Sequence, residues 1–253
     1  MISVIITNYN KEKFLLKNLK SLKKSVFKNF EIILFDDVST DNSLNIVKKF
    51  KSIKLLQNKK KKFKTPALNQ INGILESLKH AKGEIICFLD SDDFFSKYKL
   101  NLIYKFFKKN KNFKSVYNFP RADKKKFFFK EKSNKNIWPT IFPTSCISIR
   151  KDIFKKIIKH LKPNYLTNLE IDARLIIFMK FYFGEYNIIK RKLTNYTHDD
   201  EGITSGIKKY SKKWWLRRKE AYEYLKYVLY LKKKKLPWSF DRLFTEIIYR
   251  VLK

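Results

Sequence analysis

Short apolar runs recur along the first hundred residues, each followed by a polar turn and then by apolar positions at helical spacing. Strands are predicted at 3–7 (Ser3-Val4-Ile5-Ile6-Thr7), 30–35, 53–56 and 84–89. Runs this short and this rich in Ile, Val, Leu and Phe suit strands buried on both faces. Phe14, Leu15, Leu19 and Leu22 mark a helix over 12–25. A second helix is read at 43–50 and a third at 66–80, opened by Pro66 and followed by Gly83. This alternation predicts an α/β fold, a Rossmann-like, mostly parallel sheet flanked by helices. Such sheets bind ligands at the carboxyl ends of their strands. The polar loop 36–41 and the cluster Asp90-Ser91-Asp92-Asp93 both fall there.

Further on, the pattern predicts a helix at 98–113, a strand at 115–118, an irregular basic stretch at 120–140 and a strand at 144–149. Next come a helix from 151, a strongly apolar helix at 169–183 and a strand at 186–193. Beyond about 205 the character changes. Trp214, Trp215, Tyr222, Leu225 and Leu229 form one helical stripe, and after Pro237 Leu243, Phe244, Ile247, Ile248 and Val251 form another. The expected organisation is a main domain at 1–205, with halves 1–95 and 96–205, and a basic, aromatic helical extension at 206–253.

Composition changes the picture in two places. Hydrophobic residues make up 44% of the chain, which excludes a disordered one. The 58 Lys and Arg against 23 Asp and Glu leave a net charge of +35. That excess invites nucleic acid. Only eight of the basic residues are Arg, however, and the lysines are spread along the whole chain together with abundant Asn, Ile and Phe. The skew reads as a preference for A/T-rich codons. No nucleic-acid-binding motif is present, and such a role gives no reason for clustered carboxylates. Cys87 and Cys146 lie in apolar runs and suit a reducing cytosol rather than a disulfide framework or zinc cluster. No apolar run reaches the ~18 residues of a spanning helix, and the chain starts directly in a strand. A cytoplasmic protein, soluble or peripheral on the inner face of the plasma membrane, is expected.

Asp90, Asp92 and Asp93 crowd three carboxylates at a strand end in a lysine-rich chain. Capping of the next helix explains one of them. A hard cation, Mn²⁺ or Mg²⁺, removes the repulsion among three and can bridge to a diphosphate. Asp37 can accept a hydrogen bond from a base N–H or a ribose hydroxyl.

Three segments, SVIITNYN from Ser3, FEIILFDDVSTDNS from Phe30 and AKGEIICFLDSDD from Ala81, appear in this order and spacing. Together they resemble family 2 glycosyltransferases of the GT-A fold, with a looser likeness to about residue 205. The resemblance implies sugar transfer from a nucleotide-sugar, most commonly a UDP-sugar, with inversion at the anomeric carbon. It implies a glycan or lipid-linked acceptor, as in lipopolysaccharide or capsule synthesis. By the same resemblance Thr7 and Tyr9 line the nucleoside, Asp37 contacts the base, and Asp92 lies near the ribose and diphosphate. Asp93 takes the metal-binding position, and Asp90 begins the cluster. His198 falls where members often place a His near the metal or diphosphate. The family's acidic pair before an apolar helix is represented by Glu170-Ile171-Asp172, with Asp172 in register with the general base and Glu170 as the alternative. The family's Arg before the third motif is absent from Lys64-Thr65-Pro66-Ala67-Leu68-Asn69; Lys64 or Lys62 would supply that charge. The C-terminal stripes read as packing helices, with a cap over the acceptor site or contact with an anionic membrane as alternatives. A nucleotidyltransferase would share the metal and the sheet, but five glycines and no Gly-rich phosphate loop speak against it. No oligomeric state is implied.

Overall fold

The computed structural model describes residues 1–122, 138–161, 166–197, 199, 202–203 and 207–252. Four parallel strands form one half of the sheet: β1 (Ile2–Asn8), β2 (Phe30–Asp36), β3 (Ile53–Gln57) and β4 (Ile85–Asp90), in the order β3-β2-β1-β4. They alternate with α1 (Glu12–Lys23), α2 (Ser43–Lys48) and α3 (Pro66–His80). The second half adds β5 (Phe94–Phe95), α4 (Lys99–Lys109), β6 (Ser115–Ala122), β7 (Ile147–Arg150), α5 (Lys151–Leu161), α6 (Ile171–Tyr182) and β8 (Ile188–Tyr196). Its strands continue the same sheet as β7-β6-β8-β5, with β7 antiparallel to β4 and to β6 and with β6 parallel to β8. Two helices close the chain, α7 (Lys212–Leu231) and α8 (Phe240–Val251). Among the described residues no helix is long and apolar enough to cross a membrane.

The strand periodicity of two builds two cores. Ile2, Val4 and Ile6 of β1 pack with Leu15, Leu19 and Leu22 of α1 and with Leu100, Ile103 and Phe107 of α4. Ile5, on the opposite face, joins Ile71, Ile74 and Leu75 of α3 and the apolar run Leu175–Met179 of α6. Burial of each such side chain stabilises the fold by about 1.5–3 kcal/mol. The sheet is thus covered on both faces, and its open rim at the carboxyl ends of β1, β2 and β4 is left for a ligand.

Apart from shifts of a few residues at element ends, the expected and observed elements compare as follows. The helix expected at 98–113 stops at Lys109, where Asn110 leaves the helical region. The strand expected at 144–149 begins only at Ile147; after Pro143, residues Thr144–Cys146 form a 3-10 turn. That turn aims Ser145 at the acid cluster, where its Oγ accepts the Asp90 N–H at 2.9 Å. The two-residue β5 is too short to leave a periodic signal. Most of the irregular stretch expected at 120–140 lies outside the described residues.

Gly83 is not a left-handed cap. Its amide donates to Ser3 Oγ at 2.8 Å, and a Cβ there would meet the Ser3 backbone nitrogen at 2.4 Å. We expect Gly83→Ala to force β1 and the α3–β4 turn apart, costing about 1–3 kcal/mol. A shift of the urea midpoint measures it; an unchanged midpoint would refute the close approach.

Candidate active site

The loops after β1, β2 and β4 meet in a cleft of about 740 Å³. Thr7, Tyr9, Asp37, Lys64, Asp90 and Asp92 line it, as do Glu170 and Asp172. These residues lie up to 165 positions apart in the chain. One other residue singled out in the sequence does not join them. Asp93 is buried behind the wall. His198 lies outside the described residues.

Asp36 and Asp37 divide their work. Asp36 is fully buried and accepts from Asn8 Nδ2 at 2.8 Å and from the Ser39 amide at 2.9 Å, which fixes the loop. Asp37 turns into the cleft, with Asn58 Nδ2 on its Oδ1 at 2.9 Å. The next residue, Val38, has φ 64°, a strained conformation for a β-branched residue, held because the contacts on either side fix the loop. The Tyr9 ring carries Lys61 Nζ at 3.5 Å from its centroid, and Lys61 and Lys64 both face the cleft. Lys62, the other lysine considered from the sequence, is not on its wall.

The acid cluster is organised by polar partners from four elements. Asp90 accepts from Gln70 Nε2 of α3 at 2.8 Å and from Thr7 Oγ1 at 3.3 Å. Burial, and after it the charge of Asp92, pushes Asp90 up to about 7. Asp92 is also raised by burial, although Lys11 opposes the shift. Lys11 Nζ lies 3.8 Å from Asp92 and forms a closer ion pair with Asp199. Asp93 accepts the Thr197 amide on Oδ1 at 2.8 Å, and its backbone carbonyl accepts Asn18 Nδ2 at 2.7 Å. Its buried Oδ2 has no hydrogen-bond partner among the described residues. Burial first, then Asp92 and Asp90, holds Asp93 well above the usual carboxylate range. Below the cluster, fully buried Lys99 donates to Thr194 Oγ1 at 2.8 Å and to the Ser145 carbonyl, and burial lowers it to about 8.

These donors fit a hard divalent cation. All are oxygens, and a lysine ammonium already stands between Asp92 and Asp199. Among the described residues, no three acidic, His or Cys side chains form a cage on their own. A cation completed by diphosphate oxygens and water needs only one or two carboxylates. From the sequence, the metal falls chiefly to Asp93. In the structure Asp92 faces the cleft, whereas Asp93 is turned inward onto Thr197.

The loop before α6 carries the second acidic pair. Glu170 is the N-cap residue of α6, and its Oε2 accepts from Arg217 of α7 at 2.6 Å. Asp172 accepts the next amide, Ala173 N–H, at 2.6 Å. Burial, then Glu170, pushes Asp172 up to about 7, with Arg217 pulling it back. Two further groups hold this loop. Fully buried Arg174 donates to the carbonyls of Leu161, Leu166 and Leu169. Glu220 of α7 accepts the amides of Asn168 and Leu169 at 2.8 and 2.7 Å. Arg217, Glu220, Lys11, Gln70 and Asp199 are not singled out by the sequence. The acidic charge of Glu220 just after Arg217-Arg218-Lys219, and the acidic run that Asp199 begins, are the signals it carries for them.

A cleft at the strand ends of a mostly parallel sheet, ringed by carboxylates and basic side chains, is the site of an α/β protein that handles an anionic, nucleotide-like ligand. The chain belongs to glycosyl transferase family 2, whose model matches residues 3–225. It is 36% identical over 104 residues to the UDP-Glc:alpha-D-GlcNAc-diphosphoundecaprenol beta-1,3-glucosyltransferase WfgD of Escherichia coli, covering 40% of this chain and 39% of WfgD. It is 38% identical over 97 residues to the poly(ribitol-phosphate) beta-N-acetylglucosaminyltransferase TarS of Staphylococcus aureus, covering 38% of this chain but 17% of TarS. The matched stretch therefore spans well under half of either relative. The crystal structure of S. aureus TarS 1-349 in complex with UDP-GlcNAc superposes with a TM-score of 0.66 at 21% identity, over 99% of this chain and 71% of that one. The mannosyltransferase PcManGT of Pyrobaculum calidifontis, solved with GDP-Man and Mn2+, gives 0.59 at 14% identity over 99% and 68%. The fold is thus the α/β fold of GT-A glycosyltransferases, with helices on both faces of a mostly parallel sheet.

Proposed function

We propose that this chain is an inverting glycosyltransferase that moves a sugar from a UDP-sugar to a hydroxyl of a glycan or lipid-linked acceptor, in bacterial surface polysaccharide synthesis and on the cytoplasmic side. The carrying observation is that Asp37, Asp92 and Asp172 line one cleft of a family 2 member. The catalytic unit is 1–205, with 1–95 forming the nucleotide half and 96–205 the acceptor half. The helices from 206 on support its acidic loop.

In this reading Asp37 accepts the base N–H, Thr7 and Tyr9 flank the nucleoside, and Lys61 and Lys64 face the diphosphate as point charges. Asp92, with Asp199 beside it and His198 as a further candidate, holds Mn²⁺ or Mg²⁺. The bound cation neutralises charge developing on the departing diphosphate. Asp172 takes the proton of the acceptor hydroxyl as that oxygen bonds to the anomeric carbon and the anomeric carbon–oxygen bond to UDP breaks. An acid raised to about 7 is half deprotonated at neutral pH and still basic enough to accept this proton. Glu170, committed to Arg217, holds the loop instead. A lipid-linked or polymer acceptor is supported by the activities for which WfgD and TarS are named.

Calorimetric titration of UDP and GDP, with and without Mn²⁺, tests the donor. Micromolar UDP binding that requires Mn²⁺ is expected. Preference for GDP would change the donor, and binding of neither would overturn the reading.

A further inference from the structure

The outer face of α8 is an apolar stripe that the fold does not use. Phe240, Leu243, Phe244, Ile247 and Val251 have a spacing of i, i+3, i+4, i+7 and i+11, one stripe of a helix. Their exposures run from 43% to 80%. The opposite face is the one that packs: Thr245 is fully buried and binds Arg218 Nε at 3.1 Å, and Asp241 pairs with Arg218 of α7. Just ahead of the stripe, Trp238 and Phe240 meet edge to face at 4.3 Å, and Trp238 is 64% exposed.

Charge selects what covers this stripe. Residues 212–252 hold twelve Lys and Arg against four Asp and Glu. Each of those acids has a partner in the chain: buried Glu220 the 167–169 loop, and on the surface Glu223 Lys219, Asp241 Arg218 and Glu246 Arg242. Lys232, Lys233, Lys234 and Lys235 are exposed at the stripe's leading end, and Arg250 at its far end. A second copy would bring another net charge of +35 against this surface. Apolar and aromatic side chains between cationic ends match the boundary between the headgroups and acyl chains of an anionic bilayer. We propose that α8 and the Lys232–Lys235 run form a docking face for an anionic lipid surface, with α8 lying in the plane of the interface. Arg217 and Arg218 are adjacent on α7, one reaching Glu170 in the cleft and the other Asp241 of α8. Docking therefore sets the acidic loop of the cleft one helix away from the lipid. This inference is independent of the donor assignment.

The test is sedimentation of the full chain with phosphatidylcholine vesicles, plain or containing phosphatidylglycerol. Binding is expected only with phosphatidylglycerol, weakened at least tenfold in Phe244→Glu/Ile247→Glu and in a variant with Lys232–Lys235 changed to Gln. A stripe variant that binds as well as the parent would overturn the proposal, because charge alone would then hold the protein. Absence of vesicle binding, together with a sedimentation-velocity dimer that the stripe variant dissociates, would overturn it in favour of self-association. Far-UV circular dichroism and thermal melting of both variants separate lost docking from lost folding.

Discussion

Asp172→Asn is expected to lower kcat by about 10²–10⁴-fold, the usual contribution of a general base, while UDP affinity stays within about twofold. The substitution keeps the shape of the side chain and its place in the first turn of α6, but removes the basic oxygen. The pH profile supplies the sharper readout. Asp172 must be ionised to accept a proton, and burial with Glu170 beside it pushes it up to about 7. Activity should therefore fall about tenfold per pH unit below 7 and level off above it. Arg217 stabilises the ionised form, so Arg217→Met should move that limb to higher pH. Full turnover by Asp172→Asn would sink the assignment, and Glu170→Gln would then be examined. A limb near 7 that persists in the residual activity of Asp172→Asn would belong to Asp90, which burial raises to the same range.

The second large effect is at Asp92. Asp92→Ala is expected to abolish the Mn²⁺-dependent binding of UDP and to lower activity by about a hundredfold or more, since a cation on the leaving diphosphate supplies several kcal/mol. Lys11→Ala should act in the opposite sense on the metal. Its ammonium lies beside Asp92 and Asp199, so its removal takes away a competing positive charge, and Mn²⁺ affinity measured by calorimetry should rise. If Asp92→Ala binds UDP with Mn²⁺ normally and Asp93→Ala does not, the ligand role returns to Asp93.

Much of this architecture is legible because parallel strands are written as dense apolar runs. The runs at 3–7, 30–35 and 84–89 place β1, β2 and β4, and the residues just past a strand end in such a sheet face the ligand. Asp37, Asp90 and Asp92 can be found that way, and Asp172 by its place before an apolar helix. The partners that orient them cannot. Gln70 reaches Asp90 from α3, and Glu220 reaches the 167–169 loop across about fifty residues. No periodicity encodes such pairings. The different settings of Asp92 and Asp93 are illegible for a related reason: acids crowded together look equivalent in sequence, whereas the turn after β4 points one inward and another outward.

The clamp of Glu220 on the 167–169 loop has a consequence for how the enzyme comes into being. The ribosome delivers the chain from its amino end, so β1 to β4 emerge long before α7. Until Arg217 and Glu220 arrive, the segment bearing Asp172 lacks two of its fasteners. On the proposed reading, the strands whose ends face the donor are made first, and the segment that bears the base is fastened last.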